Sequence, residues 1–214
     1  KEKVLIPLSK VDIKSELRGA TASTNVALTY TNPNAENALE CTYVFPMEKN
    51  TLLAKFEAII DDKTVETKVM RKEKAQERYE DAIAGGNAAV IAERKKKDET
   101  MTIKLGNLLP GQSAVLKIHI LHQLEIVGGH YALILPVAFY PDYRKHGVCN
   151  ADDFVYRFAY EVKIVADGRI SNLSIPENAE IALTNENNSQ ITIRSDQISR
   201  VIDLYYKTSD MLVP

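Results

Sequence analysis

Cysteine is scarce: Cys41 and Cys149 are the only two in 214 residues. Two cysteines make no disulfide framework. Both lie among apolar or strand-like neighbours, so they read as free thiols, at least partly buried, in a reducing compartment. Excess charge is missing as well. Lysine and arginine number 27 against 29 aspartates and glutamates, a formal net charge of -2. Phosphate binding usually shows as basic excess, so this balance argues against nucleic acid as a partner. No apolar run approaches the ~20 residues that span a bilayer. No signal peptide is visible, and the first residue is Lys1 where a methionine would stand, which reads as a trimmed start.

Catalytic signatures are also absent. There is no Gly-x-Ser-x-Gly elbow, and neither cysteine sits in a nucleophile motif. Gly85-Gly86 lacks the Gly-x-Gly-x-x-Gly spacing of a phosphate loop. Four histidines occur. His119 and His122 share one strand three residues apart, so a period of two sends them to opposite faces, which is poor geometry for one metal. His119, between isoleucines, reads as half-buried and His122 as facing the rim. His130 and His146 have no accompanying ligand cluster. The acidic pairs Asp61-Asp62, Glu80-Asp81 and Asp152-Asp153 are what turns and helix surfaces ordinarily produce. Catalytic carboxylates converge from separate elements. The expectation is no catalytic residue, no metal and no cofactor.

What is present is alternation. Val11, Ile13 and Leu17 fall on a period of two, with Ser15 in the missing place, and Val26, Leu28 and Tyr30 repeat the pattern. These are strands with one buried face. Thr31 to Asn37 is a turn by composition, and "LECTYVFP" returns as a strand. Leu52 to Ile60, then Val65, Thr67 and Val69, read as a hairpin-like pair. "AAVIAE" and "MTIKLG" follow as short strands. Pro110-Gly111 marks a turn, and Ser113 to Val127 is the longest β run. Gly128-Gly129 closes it, with "HYALILP" as its partner strand. Phe154 to Val165 and four shorter runs complete the chain. About a dozen strands favour two packed sheets over one open sheet.

One segment breaks the alternation. Between Lys68 and Asp98 lies a charged helical stretch, a double glycine and a basic run. Ala75, Tyr79, Ala82 and Ile83 share one side at i, i+4, i+7 and i+8, which predicts a helix over about 71–84 with a core-facing stripe. Tyr79 can bury its ring and keep its hydroxyl at the rim. Gly85 and Gly86 supply the stop. Arg71, Lys72 and Lys74 crowd the helix start and Glu80 and Asp81 its end, opposing the helix dipole. Pairs such as Lys74 with Glu77 offset part of that cost. The helix therefore depends on packing, or its charges meet a partner. Arg71, Lys72, Lys74, Arg94, Lys95, Lys96 and Lys97 are the candidate partner-binding residues, provided that the two ends of the segment approach in space.

The order of these features resembles the VIT domain (vault protein inter-alpha-trypsin domain), and within it the von Willebrand factor A domain-containing 5A-like proteins. The resemblance rests on Ile6-Pro7-Leu8, "ELRGATASTNVALTYTNP", "ALECTYVFPMEKNTLLAKFEAIIDDKTVETKV", "KEKAQERYEDAIAGGNAAVIAE", "LGNLLPGQSAVLKIHILHQLE" and "YALILPVAFYPDY". Ala75, Tyr79, Ala82, Gly86, Ala89 and Glu93 fall where the family pattern has them. Ala75, Tyr79, Ala82, Ile83, Gly85, Gly86, Pro110 and Gly111 make up the structural signature.

The resemblance implies a mainly β fold, a β-sandwich of packed antiparallel sheets with one embedded helix. It implies a VIT core over residues 1–145, and further strands over 146–214 packed on it and leading toward a von Willebrand A domain, in one continuous unit. It implies a non-catalytic module that supports that A domain and contacts proteins still to be identified. No Asp-x-Ser-x-Ser motif occurs, so the A domain's metal site does not belong to this chain. A cytoplasmic setting is expected, with an extracellular one left open. Two rival readings stand beside this one: electrostatic binding of an acidic partner or anionic surface, and a glycan-processing or other hydrolase with a cleft near "VAFYPDYRKHG", residues 137–147.

Overall fold

The computed structural model describes residues 6, 8–46, 50–60, 63–66, 72–87, 89–95, 100–136, 156–197 and 201–209. Fifteen strands and one helix lie among them. An eight-stranded sheet has the order β13-β14-β11-β1-β2-β8-β4-β5. Its strands are β1 (Leu8–Arg18), β2 (Thr21–Thr31), β4 (Thr51–Ile60), β5 (Lys63–Glu66), β8 (Ser113–Gln123), β11 (Arg157–Val165), β13 (Glu180–Thr184) and β14 (Gln190–Ser195). A three-stranded sheet, β3-β7-β6, combines Leu39–Pro46, Thr100–Leu108 and Ala89–Lys95. A four-stranded sheet, β12-β15-β10-β9, combines Ile170–Ser174, Val201–Thr208, His130–Pro136 and Glu125–Val127.

Alternation decides which faces meet. Val11, Ile13, Ser15 and Leu17 on β1 point inward with Ala22, Thr24, Val26 and Leu28 on β2 and with Leu116, Ile118 and Ile120 on β8. Phe45 and Ile103 of the three-stranded sheet join the same buried cluster, as do Leu133, Leu204 and Tyr206 of the four-stranded one. Each such side chain contributes roughly 1.5–3 kcal/mol on leaving water. The opposite face of β1 carries Lys10, Asp12, Lys14, Glu16 and Arg18, with Lys10–Asp12 and Arg18–Glu16 ion pairs at 3.2 and 2.6 Å. The mainly β, sandwich-like fold with one helix is thus as the sequence predicts.

Three features depart from the simple pattern. β1 pairs with β11 in parallel, whereas every other strand pair among the described residues is antiparallel. Chain order permits this, because β11 reaches β1 from the other sheets and not through a tight turn. The long β run also divides. Leu124, 5% exposed, leaves the ladder and donates its N–H to Ala20 O at 2.8 Å, so Glu125–Val127 joins a different sheet. Finally, α1 (Lys72–Ala84) does not enter the main core. Its stripe packs in a separate cluster with Ala89 and Ile91 on β6.

Two turns interlock. Leu109-Pro110-Gly111-Gln112 has proline second, glycine at φ +68° third, and a Gln112 N–H to Leu109 O bond of 3.0 Å, the pattern of a type II turn. Asn32, 1% exposed, ties the 31–37 turn to it. Its Nδ2 donates to Leu108 O (2.8 Å) and Asn37 O (3.0 Å), and its Oδ1 accepts from Asn34 N–H (2.9 Å). Its own N–H donates to Gln112 O, and its carbonyl accepts from Gly111 N–H.

Candidate functional site

The seam between α1 and the three-stranded sheet is built from four devices. Tyr79, 7% exposed, buries its ring against Ala89 and Ile91, with Ala75, Ala82 and Ile83 beside it. Its hydroxyl donates to Glu40 Oε1 on β3 at 3.0 Å. Burial, then the Glu40 bond, push the phenol well above its usual range. Gly106 on β7, register partner of Ala89, admits the helix. A Cβ there would collide with Ile83 Cδ1 and stand 2.7 Å from Tyr79 Oη.

The helix stop is a Schellman arrangement. Asn87 N–H donates to Ala82 O at 2.9 Å and Gly86 N–H to Ile83 O at 3.0 Å, with Gly86 at φ +75°. Asn107, at φ 56°, then clamps this end: its Nδ2 donates to Ile83 O (3.1 Å) and to Asn87 O (3.2 Å). Glu40, Gly106 and Asn107 are absent from the sequence-derived signature. A glycine inside a strand is the usual sign of close approach by another element, and Gly106 carries that sign.

The outward face of α1 is charged. Glu73, Lys74, Glu77, Arg78, Glu80 and Asp81 are exposed, and the last turn holds no base. Lys74 and Glu77 form no ion pair. A side-chain link along the helix is Gln76 Nε2 to Glu80 Oε1 at 2.7 Å, so a neutral donor about one turn from the helix start stands in place of the expected Lys74–Glu77 pair. Of the candidate basic residues, Arg71, Lys96 and Lys97 lie outside the described residues. Lys72, Arg94 and Lys95 are described through their backbone alone. The short connection through Gly85 and Gly86 folds β6 back along α1. Pro110 is exposed in its turn, three residues beyond Asn107.

The remaining chemistry-bearing groups do not converge. His119 and His122 do lie on opposite faces. His119 is half-buried on the outer face, with Nε2 2.9 Å from Ser23 Oγ. His122 is half-buried near the end of β8, on the inner face with Ile118 and Ile120, and burial lowers its pKa. His130 turns back on its own hairpin, Nδ1 lying 3.0 Å from Gly128 O. Cys41 is a free thiol pushed up to about 11 by burial. Cys149, His146, Asp61-Asp62, Asp152-Asp153 and the proposed cleft at 137–147 lie outside the described residues. Among the described residues, no group of three or more His, Cys, Asp and Glu could hold a metal ion, and no helix is long and apolar enough to cross a membrane.

The described residues form a packed β scaffold with one helix laid on a small sheet. The chain belongs to the VIT family: the Vault protein inter-alpha-trypsin domain matches residues 8–120, a span that holds α1, its seam and the interlocked turns. It is similar to the human protein mono-ADP-ribosyltransferase PARP4, 31% identical over 137 residues, covering 64% of this chain and 8% of that protein. It is similar to human von Willebrand factor A domain-containing protein 5A, 28% identical over 144 residues, covering 66% of this chain and 18% of that protein. A von Willebrand factor A domain-containing protein of Dictyostelium discoideum is 26% identical over 196 residues, covering 91% of this chain and 20% of its own length. The chain thus spans a small part of each relative. VIT domains are non-catalytic structural modules, and residues 8–120 match that family.

Proposed function

We propose that this chain supports a neighbouring von Willebrand A domain and makes protein–protein contacts of its own. The observation that carries this reading is the similarity to A-domain-containing proteins of which the chain covers only 18–20%. In this reading residues 1–145 are the VIT core, and 146–214 add strands that lead toward the A domain, in the cytoplasm. The contribution of β11, β14 and β15 to the common core supports treating them together. The test joins this chain to the A domain of the human 5A relative and follows the A domain's thermal unfolding. A rise in its Tm, with saturable binding when the two are mixed as separate chains, is expected. An unchanged Tm and no binding overturn the proposal.

A second reading, electrostatic binding of an acidic partner, draws support from the way β6 returns along α1, which directs Lys72 and Lys74 toward the strand end bearing Arg94 and Lys95. Retention on an immobilised acidic peptide that falls steeply with salt, and falls further in Lys74→Glu, is expected. Salt-independent retention, or none, removes this reading.

A further inference from the structure

A chain of three polar side chains crosses the inner face of three adjacent strands. Ser15 Oγ on β1 lies 2.8 Å from Thr24 Oγ1 on β2, and Thr24 Oγ1 lies 3.2 Å from His122 Nε2 on β8. Ser15 and Thr24 are 3% and 0% exposed. Neither hydroxyl has a partner outside the chain. Their hydrogens must therefore be placed within it.

Only one arrangement places them all. If Ser15 donates to Thr24 and Thr24 donates to His122, both hydroxyl hydrogens are used and Nε2 accepts. The ring is then neutral with its hydrogen on Nδ1. If Nε2 carries a hydrogen, it donates to Thr24, Thr24 donates to Ser15, and the Ser15 hydroxyl hydrogen has no acceptor. An orphaned buried donor costs more than an ordinary hydrogen bond contributes.

Among the described residues, no charged side chain is a register partner of His122. Ala22 on β2 and Thr51 on β4 are its register partners. On β1, Glu16 and Arg18 point to the other face and pair with each other. On β4, Lys55 and Glu57 also pair on the outer face. The facing four-stranded sheet brings the phenols of Tyr131 and Tyr206 to its inner side. This is also a junction. Leu124 N–H bonds to Ala20 O beyond the end of β8, and Tyr206 Oη donates to Gly19 O at 3.4 Å from β15.

We infer that Ser15, Thr24 and His122 form a proton-sensing joint: one proton taken from water at His122 Nε2 reverses both hydrogen bonds, orphans the Ser15 hydroxyl and loosens the end of the sandwich where the β1–β2 turn, β9 and β15 meet. Burial lowers the His122 pKa in the folded state. The stability from the neutral ring is therefore complete above the ordinary histidine value of about 6.5 and is lost as pH falls through the folded value. The folded-to-unfolded ratio drops about tenfold for each unit of that lowering.

Nitrogen NMR of the wild-type chain at pH 7.5 reads the tautomer directly: His122 is expected to carry its hydrogen on Nδ1 with Nε2 bare. Urea denaturation at pH 7.5 and 5.5 is expected to show the drop in wild type and in His119→Gln. The drop is expected to be missing in His122→Gln, whose amide oxygen still accepts from Thr24 but takes up no proton. The protection factor of the Leu124 amide, referred to the intrinsic exchange rate at each pH, is expected to fall at pH 5.5 in wild type and in His119→Gln but not in His122→Gln. A protonated Nε2 at pH 7.5, or an equal pH response in wild type and His122→Gln, overturns the inference. Should His122→Gln fail to fold, the wild-type tautomer still decides.

Discussion

The Tyr79 hydroxyl donates to Glu40 Oε1 at 3.0 Å, across 39 residues of chain and from helix to strand. This bond ties α1 to the β3 edge of the three-stranded sheet, while the Tyr79 ring packs on β6. Helix position is thus set by one polar and one apolar contact of a single side chain. The helix gains little from its own charges, because basic residues open it and acids close it.

Tyr79→Phe keeps the ring and removes the donor. It is expected to cost about 1.5–3 kcal/mol in urea denaturation, the range for a hydrogen bond to a charged acceptor. Tyr79→Ala also removes the ring and is expected to cost about 3–5 kcal/mol. Equal losses in the two variants would show that the hydroxyl, and not the ring, positions the helix.

Gly106→Ala puts a methyl group where Ile83 and the Tyr79 hydroxyl already stand. Overpacking of this kind costs about 1–3 kcal/mol. Ile83→Ala opens the space, so the double variant should lose less than the two single losses together. Simple additivity in a double-mutant cycle by urea denaturation would place the cost elsewhere than in the helix contact.

Much of this arrangement is readable along the chain, because β periodicity has only two outcomes. Val11, Ile13 and Leu17 announce the inner face of β1, and Ser15 between them is buried because Thr24 supplies its partner. The helix and its glycine stop follow from the spacing of Ala75, Tyr79, Ala82 and Ile83 and from the need for positive φ at Gly86. His122 could have been assigned inward by its spacing from Ile118 and Ile120, yet its polarity suggests the rim. The parallel pairing of β1 with β11 leaves no local trace, since strand neighbours far apart in sequence are chosen by the whole fold. The same holds for Glu40, which becomes part of the seam only once β3 lies beside β7 and beneath α1.

The two glycines that end α1 should respond differently. Gly86 sits at φ +75°, where a side chain costs about 1–2 kcal/mol. Gly85 is outside the left-handed region, and its added Cβ would meet only the flexible Asn87 Nδ2 closely, at 3.2 Å. Gly86→Ala is therefore expected to lower stability by about 1–2 kcal/mol, and Gly85→Ala to stay within about 0.5 kcal/mol of wild type. Thermal unfolding of both variants checks the order, and a larger loss at Gly85 contradicts the Schellman assignment.

Asn32 makes the strongest demand on side-chain identity, because each of its polar groups has a partner and almost none of it reaches water. Asn32→Ala leaves Leu108 O and Asn37 O without their donor and Asn34 N–H without its acceptor. Orphaning these groups is expected to cost about 2–4 kcal/mol, discounted for the partly exposed ones. Asn32→Asp keeps the shape and the acceptor but turns a second oxygen toward two carbonyls. It is expected to be at least as destabilising at pH 7 as alanine. Burial against two carbonyls raises the carboxyl's folded-state pKa, so the aspartate variant should regain stability as pH falls through that raised value toward the ordinary carboxylate value of about 3.9, while the alanine variant does not. Urea denaturation of both at pH 7 and pH 4, each referred to wild type at the same pH, reads the difference. A loss in the aspartate variant that is independent of pH would mean that the Nδ2 bonds to Leu108 and Asn37 do not hold the two turns together.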